Sequence, residues 1–255
     1  MRIFTVSDLH IDFEHNKQWL LNISNEEYKN DILILAGDVT DNVREMSKAF
    51  AKLRNSFKEV LFIPGNHDLW VARDGDGNLN SLDKLQVVMN AACYYGIRML
   101  PYTYGTLTII PLYSWYDFSF GEPLQETVMK WADFMMCKWP ADYSLGDITN
   151  HFLGLNEANI CLKNKTVITF SHFLPRIDVM PFFIPPDRRE IYPMLGSELL
   201  GRQVDRLSPD IHIYAHSHVN INTRKGKTVY INNAFGYPYE TSICKKELKQ
   251  VFEVD

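Results

Sequence analysis

Five short apolar runs in this chain each end in Asp, Asn or His. "RIFTV" is followed by Ser7, Asp8, Leu9 and His10, and "ILILA" by Gly37 and Asp38. "VLFIP" runs into Gly65, Asn66, His67 and Asp68, "VITF" into Ser171 and His172, and "IHIYA" into His216, Ser217 and His218. Turns use Gly, Asn, Asp, Ser and Pro freely, but unrelated turns have no common reason to recruit imidazoles. Of the eight histidines, His10, His67, His172, His216 and His218 fall at these run ends. His212 alternates with Ile211 and Ile213 and reads as a satisfied core group, while His15 and His151 read as surface groups. Imidazole and carboxylate together suit Mn, Fe, Zn or Co. In His216-x-His218 the alternation of an extended chain puts both rings on one side. Two cations about 4 Å apart require a carboxylate that bridges them. Asn66 would add a neutral amide oxygen, so a pair of divalent ions set against Asp8, Asp38 and a bridging hydroxide leaves the centre about one unit positive. That favours an anionic substrate and the charge that grows in a displacement. Water held between two cations loses a proton near neutral pH. The reaction class that follows is hydrolysis of a phosphate ester.

The elements that must position these groups are legible as well. Besides the five runs, "LTIIPLY" and "TVYINNA" read as strands, and near-continuous runs such as "ILILA" suit strands covered on both faces. "NVREMSKAFAKLRNSF" places Val43, Met46, Phe50, Leu53 and Phe57 at helical spacing, with Asn42 and Glu45 as a capping box. "LNSLDKLQVVMNAACYYG" reads as a second helix stopped by Gly96. "EPLQETVMKWADFMMCK" reads as a third, with Leu124, Val128, Trp131 and Met135 on one face. Strand and helix alternate over the first ~100 residues, which argues for an α/β fold. Ligands in such sheets gather at the carboxyl ends of the strands.

Bulk properties narrow the function classes. The 255 residues are 46% hydrophobic and 22% charged, a globular balance with room for a sizeable core. A net charge of -5 argues against a nucleic-acid partner, which needs a basic face. Cys93, Cys137, Cys161 and Cys244 are scattered, with no C-x-x-C pair, and read as free thiols of a reducing compartment. No apolar run reaches the ~20 residues of a membrane span, and the N-terminus enters a strand without a signal-peptide core. The expectation is one cytoplasmic domain over residues 1–255.

Taken in order, "DLH", "GD", "GNHD", "SH" and "HSH" resemble the motif set of the calcineurin-like metallophosphoesterases. The resemblance spans Asp8 to His218 and implies a four-layer α/β/β/α sandwich with two metal ions (Mn, Fe or Zn) at one end. It implies that Asp8, His10 and His218 hold the first ion, that Asp38 bridges, and that Asn66, His172 and His216 hold the second. His67 would face the substrate as proton donor or electrostatic partner of the leaving oxygen, with Asp68 orienting it. Two departures stand out. Ala215 replaces the usual Gly of the last motif, a small-for-small exchange. The Ser/Thr protein phosphatases of the superfamily carry arginines that clamp a phosphomonoester, and here Asn42 and Pro64 occupy those positions. The pattern is closer to phosphodiester cleavage and similar to the class III cyclic-nucleotide phosphodiesterases. Phosphomonoesterase, nuclease and non-catalytic scaffold are the competing readings.

Two segments are candidate lids, near 113–140 and 176–200. The first carries Trp115, Tyr116, Phe118, Phe120 and Trp131, which either stack on a base, cover an acyl chain or pack an ordinary helix. In the second, Arg176 is the candidate substrate contact behind His172. Arg188 and Arg189 read as solvated loop charges. The expected partner is a small phosphoester.

Overall fold

The computed structural model describes residues 1–73 and 79–254. Every strand expected from an apolar run forms: β1 (Arg2–Val6), β2 (Ile32–Leu35), β3 (Glu59–Phe62), β5 (Leu107–Pro111), β6 (Thr166–Phe170), β7 (Ile211–Tyr214) and β9 (Thr228–Asn232). Three further strands, β4 (Tyr102–Tyr104), β8 (Asn222–Lys225) and β10 (Lys249–Glu253), carry exposed or half-buried alternation and lie at sheet edges. One sheet has the order β10-β1-β2-β3 and the other β4-β5-β6-β7-β9-β8. The runs β1-β2-β3 and β5-β6-β7-β9 are parallel, and the edge strands β10, β4 and β8 add to them antiparallel.

The layering follows from side-chain alternation. In the second sheet, Ile109, Ile168, Phe170, Ile211, Ile213 and Ile231 join the core shared with the first sheet. Their neighbours Ile110, Val167, Tyr214 and Tyr230 join a separate core on the opposite face. Period-two alternation therefore divides this sheet between two apolar clusters. The first sheet is buried on both faces, as the unbroken ILIL of β2 requires. Its outer helices are α1 (Glu14–Leu21), α2 (Val43–Ser56) and α3 (Ser81–Tyr94). The second sheet is covered by α6 (Leu145–Gly154) and α7 (Glu198–Leu207), whose Leu153, Leu200, Val204 and Leu207 belong to the outer cluster. The result is the expected α/β/β/α order.

Helix α2 buries Met46, Phe50 and Leu53 as its spacing predicts, with Phe57 buried just beyond its end. Its cap is only half the expected box. Asn42 accepts from the amides of Arg44 and Glu45, but the Glu45 carboxylate turns to Lys17 and Lys48 instead of back to the cap. Helix α3 ends at Tyr94 and Gly96 follows at φ +68°. The third expected helix does not form as one rod. It breaks into α4 (Gln125–Lys130) and α5 (Asp133–Met136) at Trp131, whose ψ of 121° is extended. The supposed apolar face is not buried: Leu124 is 60% and Met135 63% exposed. The break points Trp131 inward, which a straight helix would not do. Among the described residues, no helix is long and apolar enough to cross a membrane.

Candidate metal centre

Parallel strands in register deliver their ends to one place. Val6 pairs with Leu35 and Leu35 with Phe62, so the loops bearing Asp8, Asp38 and Asn66 begin side by side. Phe170 pairs with Ile213 in the other sheet, which aligns His172 with His216 and His218. A parallel bridge between Ser7 and Ala234 ties the two sheets at this end. The loops also bond to each other, from Asp8 N to Gly37 O (2.9 Å), His10 N to Asp38 O (3.0 Å) and Gly236 N to Asp8 O (2.9 Å).

The backbone here is strained in a patterned way. Among the described residues, the non-glycine positions with positive φ are Asp8, His10, Asp38, His216 and His218, plus Phe118 and Ser208. All but the last two are candidate ligands. Asp, Asn and His tolerate this region better than most residues, yet it still costs energy, and such strain collects at functional sites. The close approach also needs glycine: a Cβ on Gly37 would lie 2.6 Å from Gly65 N and 2.5 Å from His172 Nδ1.

The side chains converge on Asp38. Its Oδ2 lies 3.5 Å from His172 Nε2, 3.9 Å from His67 Nε2 and 4.0 Å from His10 Nε2. On one side, Asp8 Oδ1 and His10 Nε2 are each 3.2 Å from His218 Nε2. On the other, His172 Nε2 is 3.1 Å from Asn66 Oδ1 and 3.2 Å from His216 Nδ1. The donor sets Asp8–His10–His218 and Asp38–His172–His216 are each compact enough to hold an ion, and His10–Asp38–His67 lies between them. In His172, His216 and His218 the ring nitrogen left over has a partner that fixes the ring. His172 Nδ1 faces Ala36 O (2.9 Å), His216 Nε2 faces Met194 O (3.2 Å) and His218 Nδ1 faces Glu240 Oε2 (2.7 Å). This is the backing that metal-binding imidazoles use.

The electrostatics fit cations. Burial pushes the Asp38 carboxyl well above the usual carboxylate range, and the charges of Asp8 and Asp68 add to it. Burial also pushes His10 and His216 well below the usual imidazole range and His67 down to about 3, with neighbouring imidazoles adding to the effect. His218 is the exception. Burial would lower it, but Asp8 and Glu240 outweigh that and carry it up to about 9. The neutral rings of His10 and His216 are in the state a divalent ion requires, while Asp38 and His218 would each release a proton to an arriving ion.

The remaining predicted residues separate. His67 donates its backbone amide to Asp38 Oδ1 (2.9 Å), and its ring stacks on Trp70 at 3.6 Å between centroids. Asp68 has a different job from the one expected. Its carboxylate accepts from the amides of Asp38 (2.8 Å), Val39 (2.8 Å), Thr40 (3.1 Å) and Gly65 (2.9 Å). It orders the two loops that present Asp38 and Asn66, not the His67 ring. Arg176 pairs through two bonds with Asp178 and lies over the Tyr230 ring. Of the lid aromatics, Trp115 and Tyr116 are buried and pack with Phe152 and Phe173. Trp131 alone among them meets a candidate ligand, edge to face with His216 at 5.9 Å. His212 is buried between Thr169 Oγ1 (2.7 Å) and Ser171 Oγ (3.2 Å), a satisfied core histidine.

Sequence reasoning missed four contributors. Asn16 bonds Leu9 O (2.8 Å) and Gly236 O (3.0 Å), holding the first loop to the closing turn. Tyr237 stacks on His10 at 4.5 Å. Glu240 backs His218, and Asp133 bonds Asn66. Tyr237 lies in the stretch "YINNAFGYP", which resembles the family's closing strand and turn, but nothing marked its ring, and a lone acid or amide carries no signal of its own.

Comparisons with known proteins show the family. The profile of the calcineurin-like phosphoesterases matches residues 1–220. The [acyl-carrier-protein] phosphodiesterase PptH of Mycobacterium tuberculosis (strain ATCC 25618 / H37Rv) is 27% identical over 125 residues, 46% of this chain and 38% of that protein. The aligned part thus spans well under half of that relative's length. The crystal structure of phosphopantetheinyl hydrolase (PptH) from Mycobacterium tuberculosis superposes with a TM-score of 0.81 at 22% identity, covering 98% of this chain and 95% of that one. A putative 5'-nucleotidase from Staphylococcus aureus is a more distant likeness, with a TM-score of 0.46 at 14% identity over 91% of this chain and 48% of that one. The chain belongs to the calcineurin-like phosphoesterase family.

Proposed function

We propose that this protein is a phosphodiesterase that works with two divalent metal ions and takes a small phosphodiester, or the diester arm of a carrier protein, as its substrate. The observation that carries the reading is the Asp38 carboxylate, whose Oδ2 lies within 4.0 Å of three imidazole Nε2 atoms between two compact donor sets. Asp8, His10 and His218 would hold one ion, Asn66, His172 and His216 the other, with Asp38 shared. Bound there, the ions would polarise the phosphoryl oxygens and make a shared water acidic near pH 7. Mn, Fe and Zn all suit this mixed N/O donor set.

The chain's own groups supply the rest. Asp68 ties the backbones around Asp38 and Asn66 together, so the donors are in place before substrate arrives. His67, clamped on Trp70, presents Nε2 beside Asp38 as proton donor or electrostatic partner of the leaving oxygen. The diester preference rests on two residues. Pro64 is buried and has no charge to offer, and the Asn42 side chain is used as the α2 cap. Neither can clamp a phosphate dianion. The carrier-protein arm is suggested by the activity named for PptH. A cytoplasmic location is part of the proposal, supported by four free cysteines and no disulfide among the described residues.

A metal-reconstituted panel tests the reading: an acyl-carrier protein bearing its phosphopantetheine arm, 2′,3′- and 3′,5′-cyclic nucleotides, aryl diesters and monoesters, and DNA. Turnover of diesters above monoesters is expected. A diester-to-monoester rate ratio well below one would defeat the preference, and no turnover with Mn, Fe or Zn would defeat the activity. In His67→Ala, diesters with poor leaving groups should slow by about 100-fold and good ones by less.

A further inference from the structure

The first lid segment reaches the site through a buried acid that no motif contains. Asp133, at the start of α5, is buried at 3% exposure. Its Oδ1 accepts from Asn66 Nδ2 (2.8 Å) and Trp70 Nε1 (2.7 Å), and its Oδ2 accepts from Trp131 Nε1 (2.9 Å). We propose that Asp133 is a positioning residue that fixes which end of the Asn66 amide faces the metal centre and couples the α4–α5 segment to both Asn66 and His67. The proposal rests on the reading of Asn66 as a metal ligand.

The physical reason lies in the two-ended amide. Only the oxygen of Asn66 can bind a cation; its NH2 group would repel one. A carboxylate accepts and does not donate. With Asp133 behind it, a flipped Asn66 would set oxygen against carboxylate oxygen, so only one orientation survives. That orientation leaves Asn66 Oδ1 facing His172 Nε2 at 3.1 Å. The same carboxylate oxygen holds the Trp70 indole, on which the His67 ring lies at 3.6 Å. Its other oxygen holds Trp131, whose ring meets His216. One buried acid therefore sets an amide, the platform under His67 and the inward turn of the broken helix. The extended backbone at Trp131 is what lets this indole reach Asp133 two residues on.

The test compares intact wild-type protein with Asp133→Asn, which keeps the volume but lets Asn66 be met in either orientation. Mn2+ binding is followed by calorimetry and by tryptophan fluorescence, and the Asn66 side-chain amide by NMR. In the variant the weaker of two Mn2+ sites should lose about 10- to 100-fold in affinity, as loss of an outer partner of a metal ligand does. The tighter site should keep its affinity. The Asn66 amide protons should exchange faster, kcat should fall with KM little changed, and the metal-induced fluorescence change should shrink. The double variant Asn66→Asp/Asp133→Asn should recover part of the lost affinity, because a carboxylate at 66 binds with either oxygen. If the wild type binds two ions and Asp133→Asn binds both as before, or weakens both equally with no recovery in the double variant, the proposal is overturned and the metal reading stands. If the wild type binds no second ion, Asn66 is not a ligand and the proposal falls with that reading.

Discussion

The two halves of the proposed metal centre are backed by different chemistry. In the Asp8–His10–His218 half, a carboxylate faces the ring from inside and a second carboxylate, Glu240, backs His218 from outside. In the Asn66–His172–His216 half, the donors are neutral and the rings are backed by the carbonyls of Ala36 and Met194. One half attracts a cation by charge, the other by oriented dipoles, and the second borrows its charge from Asp38. A carboxylate behind an imidazole raises its basicity, so the first half should bind its ion more tightly. The second half, being less anionic, suits an ion that must also meet an anionic substrate. A further buried acid, Asp133, reaches it through the amide of Asn66.

The comparison can be broken most completely at the residue both halves share. Asp38→Ala removes the carboxylate proposed to be shared; it should lose the metal pair and several kcal/mol of charge stabilisation, about a thousandfold or more in rate. Metal content by mass spectrometry and rates on an aryl diester check this. Glu240→Gln acts on one half only. It keeps the shape but removes the charge behind His218, and should weaken the tighter Mn2+ site by about 10- to 100-fold while sparing the other. Calorimetric titration would then show the two affinities drawn together. Asp68→Asn acts on the scaffold common to both halves. Two of its four amide donors would meet an NH2 group, and loss of these charge-assisted bonds should cost about 2–3 kcal/mol in a urea melt, without favouring either site. Arg176→Ala lies outside both halves. Its guanidinium is occupied by Asp178 and partly exposed, so KM should change by less than about twofold, in line with the small worth of exposed pairs. A rise of about tenfold in KM would assign it the phosphate contact instead.

Much of this molecule is written locally. An unbroken run such as ILIL needs apolar cover on both sides wherever it lies, so the parallel inner strands and the α/β class were legible. The edge strands β4, β8 and β10 were not, because their alternation is weak and their pairing comes from the neighbour they add to. The expected helix over 122–138 shows the same limit. Its spacing is helical, yet the chain bends at Trp131, whose indole bonds Asp133 two residues on, an acid whose burial no local window reveals. The candidate ligands were legible because His and Asp at strand ends are chemically conspicuous. Asp133, Glu240 and Asn16 were not, because a lone acid or amide looks the same in sequence whether it holds a ligand or faces water.

What the sequence by itself determined is the set of reactive side chains and the strands that carry them, since residue type and alternation act over a few residues. Tertiary structure alone decided how those side chains are held. Asn66 meets Asp133 across 67 positions and His10 meets His218 across 208. Asp68 serves four backbone amides around Asp38 and Asn66, not the ring next to it. Such contacts depend on strand register, on the bridge between Ser7 and Ala234 and on which loops are brought within hydrogen-bond distance. Only the folded chain sets these, because hydrogen bonds and charges act across space regardless of how far apart the residues stand in sequence.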